Sequence, residues 1–241
     1  MSIQPHILVA PHQVSDKAIV CGEPARVNRI ASLLTEVEFL AENREFRLMR
    51  GRYGQILITV CSTGIGAPSA LIALEELHQC GVKQLIRIGS AGALQPHIAI
   101  GDVIIAEAAV RDDGGSASYV KPSFPAYANH RLVAKLQEYC VQHRISAHSG
   151  VVRSHDSFYT DQEQDLCNYW HRRGVLGADM ETAALFTVGR LRELEVAAIL
   201  TNVVLFEQDV KAGVNDYVAA SQACAQGERH AILAALNALC D

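Results

Sequence analysis

The run Gln84-Leu85-Ile86-Arg87-Ile88, followed by Gly89-Ser90-Ala91-Gly92-Ala93, decides how this 241-residue chain is read. Its hydrophobicity is nearly continuous rather than alternating, as expected of a strand covered by helices on both faces. A glycine-bearing turn then ends the run. Runs of the same kind recur at residues 18–21, 56–61, 103–109 and 196–204, and helical patterns lie between them at 25–34, 68–80, 129–143, 180–194 and 216–239. The second helix carries Leu71, Ile72, Leu74 and Leu77 on one face and is closed by Gly81 as a C-terminal cap. Strand and helix alternating in this order predict a largely parallel sheet in one domain spanning residues 1–241.

Composition narrows the class. Apolar residues make up 49% and charged residues 20% of the chain, too apolar for disorder and too evenly mixed for a low-complexity tether. The net charge of −5 argues against a general nucleic-acid or anionic-membrane binder. No basic leader with a long apolar run opens the sequence, and nowhere do about 18 apolar residues follow one another unbroken, so export and membrane insertion are not expected. Seven cysteines, odd in number, widely spaced and without a CxxC pair, read as reduced thiols of a cytoplasmic protein. Two irregular stretches, 111–128 and 154–173, are long enough to be functional loops.

Three glycine turns follow strands: Cys21-Gly22-Glu23-Pro24-Ala25-Arg26, Ser62-Thr63-Gly64-Ile65-Gly66-Ala67-Pro68-Ser69, and Arg87 to Ala93. Such turns present free backbone N–H groups at the carboxyl ends of strands, where open α/β sheets bind ligands. Arg26 and Arg87 sit beside them. Arg87, within an apolar strand, needs an anion; a phosphate or carboxylate ligand suits its planar donor fork, and a salt bridge to a core acid such as Asp102 or Glu107 serves equally well. In Gly177-Ala178-Asp179-Met180-Glu181-Thr182-Ala183-Ala184, two carboxylates open a helix of small residues. They fit a helix cap with a first-turn dipole partner, and they also fit a site for a vicinal diol, with the Met180 thioether against the sugar's apolar face.

Taken in order, Gly22 to Arg26, Asn43-Arg44-Glu45-Phe46, Cys61 to Ser69, Ile86 to Val103, Ser157-Phe158-Tyr159-Thr160-Asp161-Gln162-Glu163 and Asp179 to Leu185 resemble the trimeric and hexameric nucleoside phosphorylases, most of all the uridine phosphorylase branch. The resemblance runs through nearly the whole chain. It implies a three-layer α/β fold with a central mixed, largely parallel sheet flanked by helices. It assigns Gly22, Arg26, Arg87 and Ser90 to phosphate, with Arg44 supplied to the neighbouring subunit's phosphate site. Met180 and Glu181 match the ribose site, and His6 reaches the 5′-hydroxyl from the partner. Phe158, Gln162, Gln164, Gly92 and Val203 match the base pocket. Glu45, Ile65 and Ser69 match positions that hold a monovalent cation such as K+ between subunits. No organic cofactor is implied, phosphate is the co-substrate, and the expected assembly is a hexamer built from dimers.

Departures from the pattern fall on the base. Gln164 and Val203 stand where uridine phosphorylases usually carry arginines, and Asn202-Val203 lacks the acid found there in hexameric purine phosphorylases. Asp179 replaces the commoner Glu, Glu23 replaces the commoner Asp, and Ser90-Ala91 leans towards the purine enzymes. The reaction implied is phosphorolysis of a pyrimidine nucleoside to free base and (deoxy)ribose 1-phosphate, with Arg87, Glu181 and Gln162 at its centre. The alternatives are a purine phosphorylase, a nucleosidase of the same fold, or a binding relative that turns over weakly.

Overall fold

The apolar runs of the sequence become the middle of a ten-stranded sheet in a computed structural model that describes residues 2–207 and 222–240. In chain order the elements are β1 (Lys17–Cys21), α1 (Pro24–Ala31), β2 (Thr35–Asn43), β3 (Phe46–Tyr53), β4 (Ile56–Ser62), α2 (Ala67–Gln79), β5 (Gln84–Ala93), β6 (Val103–Asp112), α3 (Gly114–Ala117), β7 (Ala126–Tyr127), α4 (His130–Gln142), β8 (Ala147–His155), α5 (Glu163–His171), β9 (Gly177–Asp179), α6 (Thr182–Leu191), β10 (Glu195–Val204) and α7 (Gln222–Cys240). All five strands and all five helices expected from the sequence are present. The predicted start of the last helix, residues 216–221, lies outside the described residues.

β4, β1, β5 and β10 run parallel side by side, and β6, β8 and β9 form a second parallel group. β5 pairs with both β10 and β9, so the circuit β5-β10-β6-β8-β9 closes on itself. The remaining edge is an antiparallel extension, β4-β3-β2. Helices α4 and α7 pack together against β10 on one face, and α2 packs on α6 on the other. Ile19, Ile86, Ile88, Ile199 and Leu200 are fully buried between these layers, which is why their strands show no alternation.

Several features differ from the sequence reading, each for a local reason. β5 continues through the expected glycine turn to Ala93, because Gly92 and Ala93 pair with β9. β2 and β3 have no continuous apolar run: they form an edge hairpin whose outer face is laced by Arg47–Glu42, Arg50–Glu38 and Arg52–Glu36 pairs. The stretch 154–173 contains α5, which buries no residue and so carries no apolar stripe. The stretch 111–128 is organised by Arg111, whose guanidinium donates to the carbonyls of Lys121 and Phe124, both at 2.7 Å. Beyond α2, Gly81 at φ +100° completes the predicted cap, with Val82 N–H donating to Leu77 O and Gly81 N–H to His78 O.

Candidate active site

β1 and β5 are neighbours, so their carboxyl ends place Gly22, Arg26 and Ser90 together. Arg26, in the first turn of α1, lies over the end of β5. Its Nη2 donates to Ser90 Oγ (3.1 Å), its Nη1 to Ile88 O (3.3 Å), and its Nε to Glu228 Oε2 on α7 (2.7 Å). Arg26 and Glu228 are both buried, whereas Ser90 remains half-open. Two helices and a strand thus fix one guanidinium.

A second guanidinium lies deeper. Arg87 is 3% exposed and does pair with core acids, but these are Asp179 and Glu181 rather than Asp102 or Glu107. Asp102 instead accepts from His148, and Glu107 from Gln137 on the surface of the sheet. Arg87 Nε donates to Asp179 Oδ2 at 3.0 Å and Nη2 to Glu181 Oε2. Nη1 is buried and has no acceptor among the described residues, an unusual state for a donor of this strength. Gly89 makes this arrangement possible: a Cβ there would stand 2.6 Å from Arg87 Nη2.

The two carboxylates are held differently. Asp179 accepts from Ser154 Oγ, Thr182 Oγ1 and Thr182 N–H, so it caps α6 as well as pairing Arg87. Glu181 occupies the N-cap position of α6 but turns its side chain away, accepting from Gly66 N–H at 2.6 Å. Burial, reinforced by the neighbouring Asp179 charge, pushes the Glu181 carboxyl above its ordinary range despite the Arg87 cation. Met180 lies half-buried between them. The capping part of the sequence reading thus falls to Asp179, while Glu181 stands at the N-cap position rather than in the first turn and does not cap with its side chain.

The loop 63–66 separates this cluster from a surface group. Gly64, at φ +70°, lies against Glu45 and Ser69; a Cβ would meet Glu45 Cγ at 2.7 Å. Ser69 Oγ donates to Glu45 Oε1 at 2.5 Å, and this bond holds the Glu45 carboxyl below its usual range. Ile65 beside them is 78% exposed. Arg44 and Glu45 form the turn of the β2–β3 hairpin, with Arg44 exposed at φ +54°. His6 is tied to the same hairpin: its carbonyl accepts from Asn43 Nδ2, its ring meets Phe46 edge-on, and its Nδ1 lies 2.6 Å from Glu76 Oε1. Arg44 and His6 thus share one exposed surface and touch none of the phosphate or ribose residues of their own chain.

The base residues are the least constrained. Phe158 is half-buried against Tyr159, and Gln162 and Gln164 are exposed at the start of α5. Val203 lies at a bulge, where β10 shifts register between Asn202–Ala91 and Val204–Gly92 pairing, and it packs with Val204, Cys224 and Ile100. Gly92 faces Val204, whose Cβ would stand 3.7 Å from a Cβ at position 92, an ordinary packing distance. Cys21, Cys61, Cys80, Cys140 and Cys167 are free thiols; burial pushes the Cys21 thiol up to about 12 and also raises Cys61 well above the ordinary range. Among the described residues no cluster of three or more His, Cys, Asp or Glu side chains is arranged to hold a metal ion. No described helix is long and apolar enough to cross a membrane. The free N–H expected of the 62–69 glycine turn is supplied by Gly66, whereas Glu228 and Ser154 carry no role in the sequence reading; Glu228 left a trace, as the one acid among residues 222–240 of α7.

Comparison with known proteins agrees with this geometry. A family model described as the phosphorylase superfamily matches residues 16–237. A uridine phosphorylase of Haemophilus influenzae is 42% identical over 201 residues, covering 77% of this chain and 80% of the relative. A guanosine phosphorylase of Halorubrum lacusprofundi is 36% identical over 201 residues, covering 83% of each chain. Among solved structures, a uridine phosphorylase of Vibrio fischeri superposes with a TM-score of 0.94 at 56% identity, covering 100% of this chain and 98% of the other. A purine nucleoside phosphorylase of Toxoplasma gondii superposes at 0.90 with 29% identity, covering 99% and 96%.

Proposed function

The chain belongs to the phosphorylase superfamily, and from that premise we propose that it is a nucleoside phosphorylase, a pentosyltransferase that cleaves a pyrimidine nucleoside with phosphate. The observation that carries this reading is the pair of buried guanidiniums, Arg26 in the first turn of α1 and Arg87 within β5, with Arg87 Nη1 lacking an acceptor among the described residues beside the Glu181 carboxylate. A tetrahedral anion bound there supplies that acceptor, and a sugar diol satisfies Glu181.

Phosphate needs no general base, so the protein's work is positioning and charge. Arg26, Arg87, Ser90 and the Gly22 backbone hold phosphate beneath C1′, and Arg44 of a partner subunit completes the anion site. One phosphate oxygen forms the new bond to C1′ as the N-glycosidic bond breaks, and the electron pair leaves with the base. Glu181 grips the 2′- and 3′-hydroxyls while its charge faces the cationic sugar, and Met180 lies against the ring. Gln162 donates to and accepts from the departing base, over which Phe158 stacks, with Gly92, Gln164 and Val203 walling the pocket. A nucleosidase has no use for this set of phosphate arginines.

The exposed Arg44 and partly exposed His6 support sites shared between subunits, and hence dimers that assemble further into a hexamer. Val37 and Phe39 on β2 and Ile65 beside Glu45 are exposed apolar side chains that would supply surface for that contact. The Glu45 carboxylate, Ser69 hydroxyl and Ile65 carbonyl form an all-oxygen set suited to K+, which their counterparts across a two-fold axis would complete. Such an ion would fix the interface rather than take part in bond cleavage. Free thiols at Cys21, Cys61, Cys80, Cys140 and Cys167 support a reducing, cytoplasmic setting, where the reaction returns bases and sugar phosphates to salvage.

The test is a panel of uridine, 5-substituted, deoxy and purine nucleosides, with free base and ribose 1-phosphate measured as phosphate is titrated. Base release that saturates with phosphate and yields sugar phosphate is expected. Free ribose instead points to a nucleosidase, and binding without base release to an inactive relative. The uncharged Gln164 and Val203, together with the guanosine phosphorylase relative, favour a purine as the second reading, and the same panel decides it. Sharing of sites is tested by mixing inactive Arg44→Ala and Arg87→Ala chains after reversible dissociation. Mixed dimers should hold one site with both defects and one intact site, so activity should partly return. No recovery despite confirmed exchange places Arg44 outside the neighbour's site.

A further inference from the structure

We infer that Glu228 is a positioning residue for phosphate, setting the orientation of Arg26 from the far helix α7. The inference rests on the phosphate role proposed for Arg26. A guanidinium has two edges that can bind an oxyanion, and Glu228 Oε2 occupies the Nε side of Arg26 at 2.7 Å. The Nη1 and Nη2 atoms are thereby directed to Ile88 O and Ser90 Oγ, at the strand end assigned to the anion. Glu228 is 6% exposed and is the one acidic residue of α7 among residues 222–240.

The same carboxylate also binds Arg29. Its Oε1 accepts from Arg29 Nε and its Oε2 from Arg29 Nη2 at 3.0 Å, while Arg29 Nη2 also reaches Glu23. One carboxylate is therefore shared between two arginines. Two opposite effects follow from removing Glu228. The local potential becomes more positive, which attracts phosphate, and the guanidinium loses the contact that fixes its plane, which weakens a directional pair of hydrogen bonds. Bidentate recognition depends on that plane, so orientation is expected to win.

Steady-state kinetics of Glu228→Ala, Glu228→Gln and the double variant Glu228→Gln/Arg29→Ala separate these effects. For Glu228→Ala, KM for phosphate should rise about 10-fold or more, while KM for nucleoside stays within about twofold at saturating phosphate. Glu228→Gln should also be impaired, because its amide must present N–H to either Arg26 or Arg29. Removing Arg29 frees the amide oxygen for Arg26 Nε, so the double variant should bind phosphate better than Glu228→Gln alone. A purely structural role predicts the reverse order, since the double variant loses more contacts. Phosphate-dependent thermal stabilisation, measured without nucleoside, should follow the same order and reports binding even where turnover is lost. An unchanged or lowered phosphate KM in Glu228→Ala overturns the inference while leaving phosphorolysis intact; absence of phosphate dependence in the unmodified protein overturns the parent reading instead.

Discussion

The two halves of the candidate site are built to different standards. On the sugar and phosphate side, Arg26, Arg87, Asp179, Glu181 and Glu228 are all buried and joined through short hydrogen bonds to three strands and three helices. On the base side, Gln162 and Gln164 are exposed on α5, a helix that buries no residue, and the wall opposite is a bulge in β10. On the proposed reading, chemistry common to every nucleoside falls to charges that cannot move without being left unpaired in the interior, and choice of base falls largely to exposed side chains such as Gln162 and Gln164, whose replacement costs the fold little.

Removing the Arg87 charge tests the stiff half most severely. Arg87→Ala should lower kcat/KM by about 10²-fold or more, through loss of a charged contact worth roughly 2–4 kcal/mol in the transition state. It should also lower the melting temperature, because Asp179 and Glu181 then share the interior without a cation. Kinetics and a thermal melt together check both; a stable variant with unaltered phosphate dependence would place the anion elsewhere.

Glu181→Gln probes the same half through the sugar. Its bonds to hydroxyls are charge-assisted, worth about 1.5–3 kcal/mol, so ribosides should lose roughly 10- to 100-fold in kcat/KM and 2′-deoxyribosides less. Equal losses in a side-by-side assay would move Glu181 away from the 2′-hydroxyl.

The loose half should respond in the opposite manner. Gln162→Ala removes neutral hydrogen bonds worth about 0.5–1.5 kcal/mol, giving a loss of roughly 2- to 12-fold that varies from base to base. The melting temperature should hardly change, since an exposed position away from buried partners usually alters stability by about 0.5 kcal/mol or less. A uniform loss across all bases, or a large drop in stability, would erase the contrast between the halves.

The smallest effect concerns pH. Burial works against the charged Glu228, but hydrogen bonds and charge from Arg29 and Arg26 outweigh it and hold the carboxyl below the ordinary value. A lowered folded-state pKa stabilises the protein above the unfolded pKa, about 4.3 for glutamate, and that contribution disappears as pH falls through the folded value. Wild type should therefore melt a few degrees above Glu228→Gln at neutral pH, and the gap should close in acid. A gap independent of pH would mean that packing, not charge, accounts for the difference.

Legibility in the sequence follows the same division. Strands buried on both faces announced themselves as apolar runs, and Arg26, Arg87 and the Asp179–Glu181 pair stood out because charge is rare in such surroundings. The β2–β3 hairpin and α5 are not legible as elements because their exposed faces carry no hydrophobic period, and they enter only through motif residues such as Arg44, Glu45 and Gln164. Partnership was the least readable property. Arg87 could be seen to need an acid, yet its acids lie 92 and 94 positions away, and those expected, Asp102 and Glu107, bond elsewhere. Nor does any local pattern reveal that β5 is shared by two parts of the sheet.

That sharing bears on how the chain is made. Gln84 and Glu195 meet across β5 and β10 although 111 positions separate them, and β6 also waits for β10 before its ladder is complete. During synthesis, therefore, the long central strand offers open hydrogen-bonding groups on an apolar ribbon until four-fifths of the polypeptide has emerged. Contacts this distant in sequence slow folding and lengthen exposure to wrong partners. Fragments ending before residue 195 should aggregate in proportion to their concentration, and appending the missing strand as a separate peptide should rescue them.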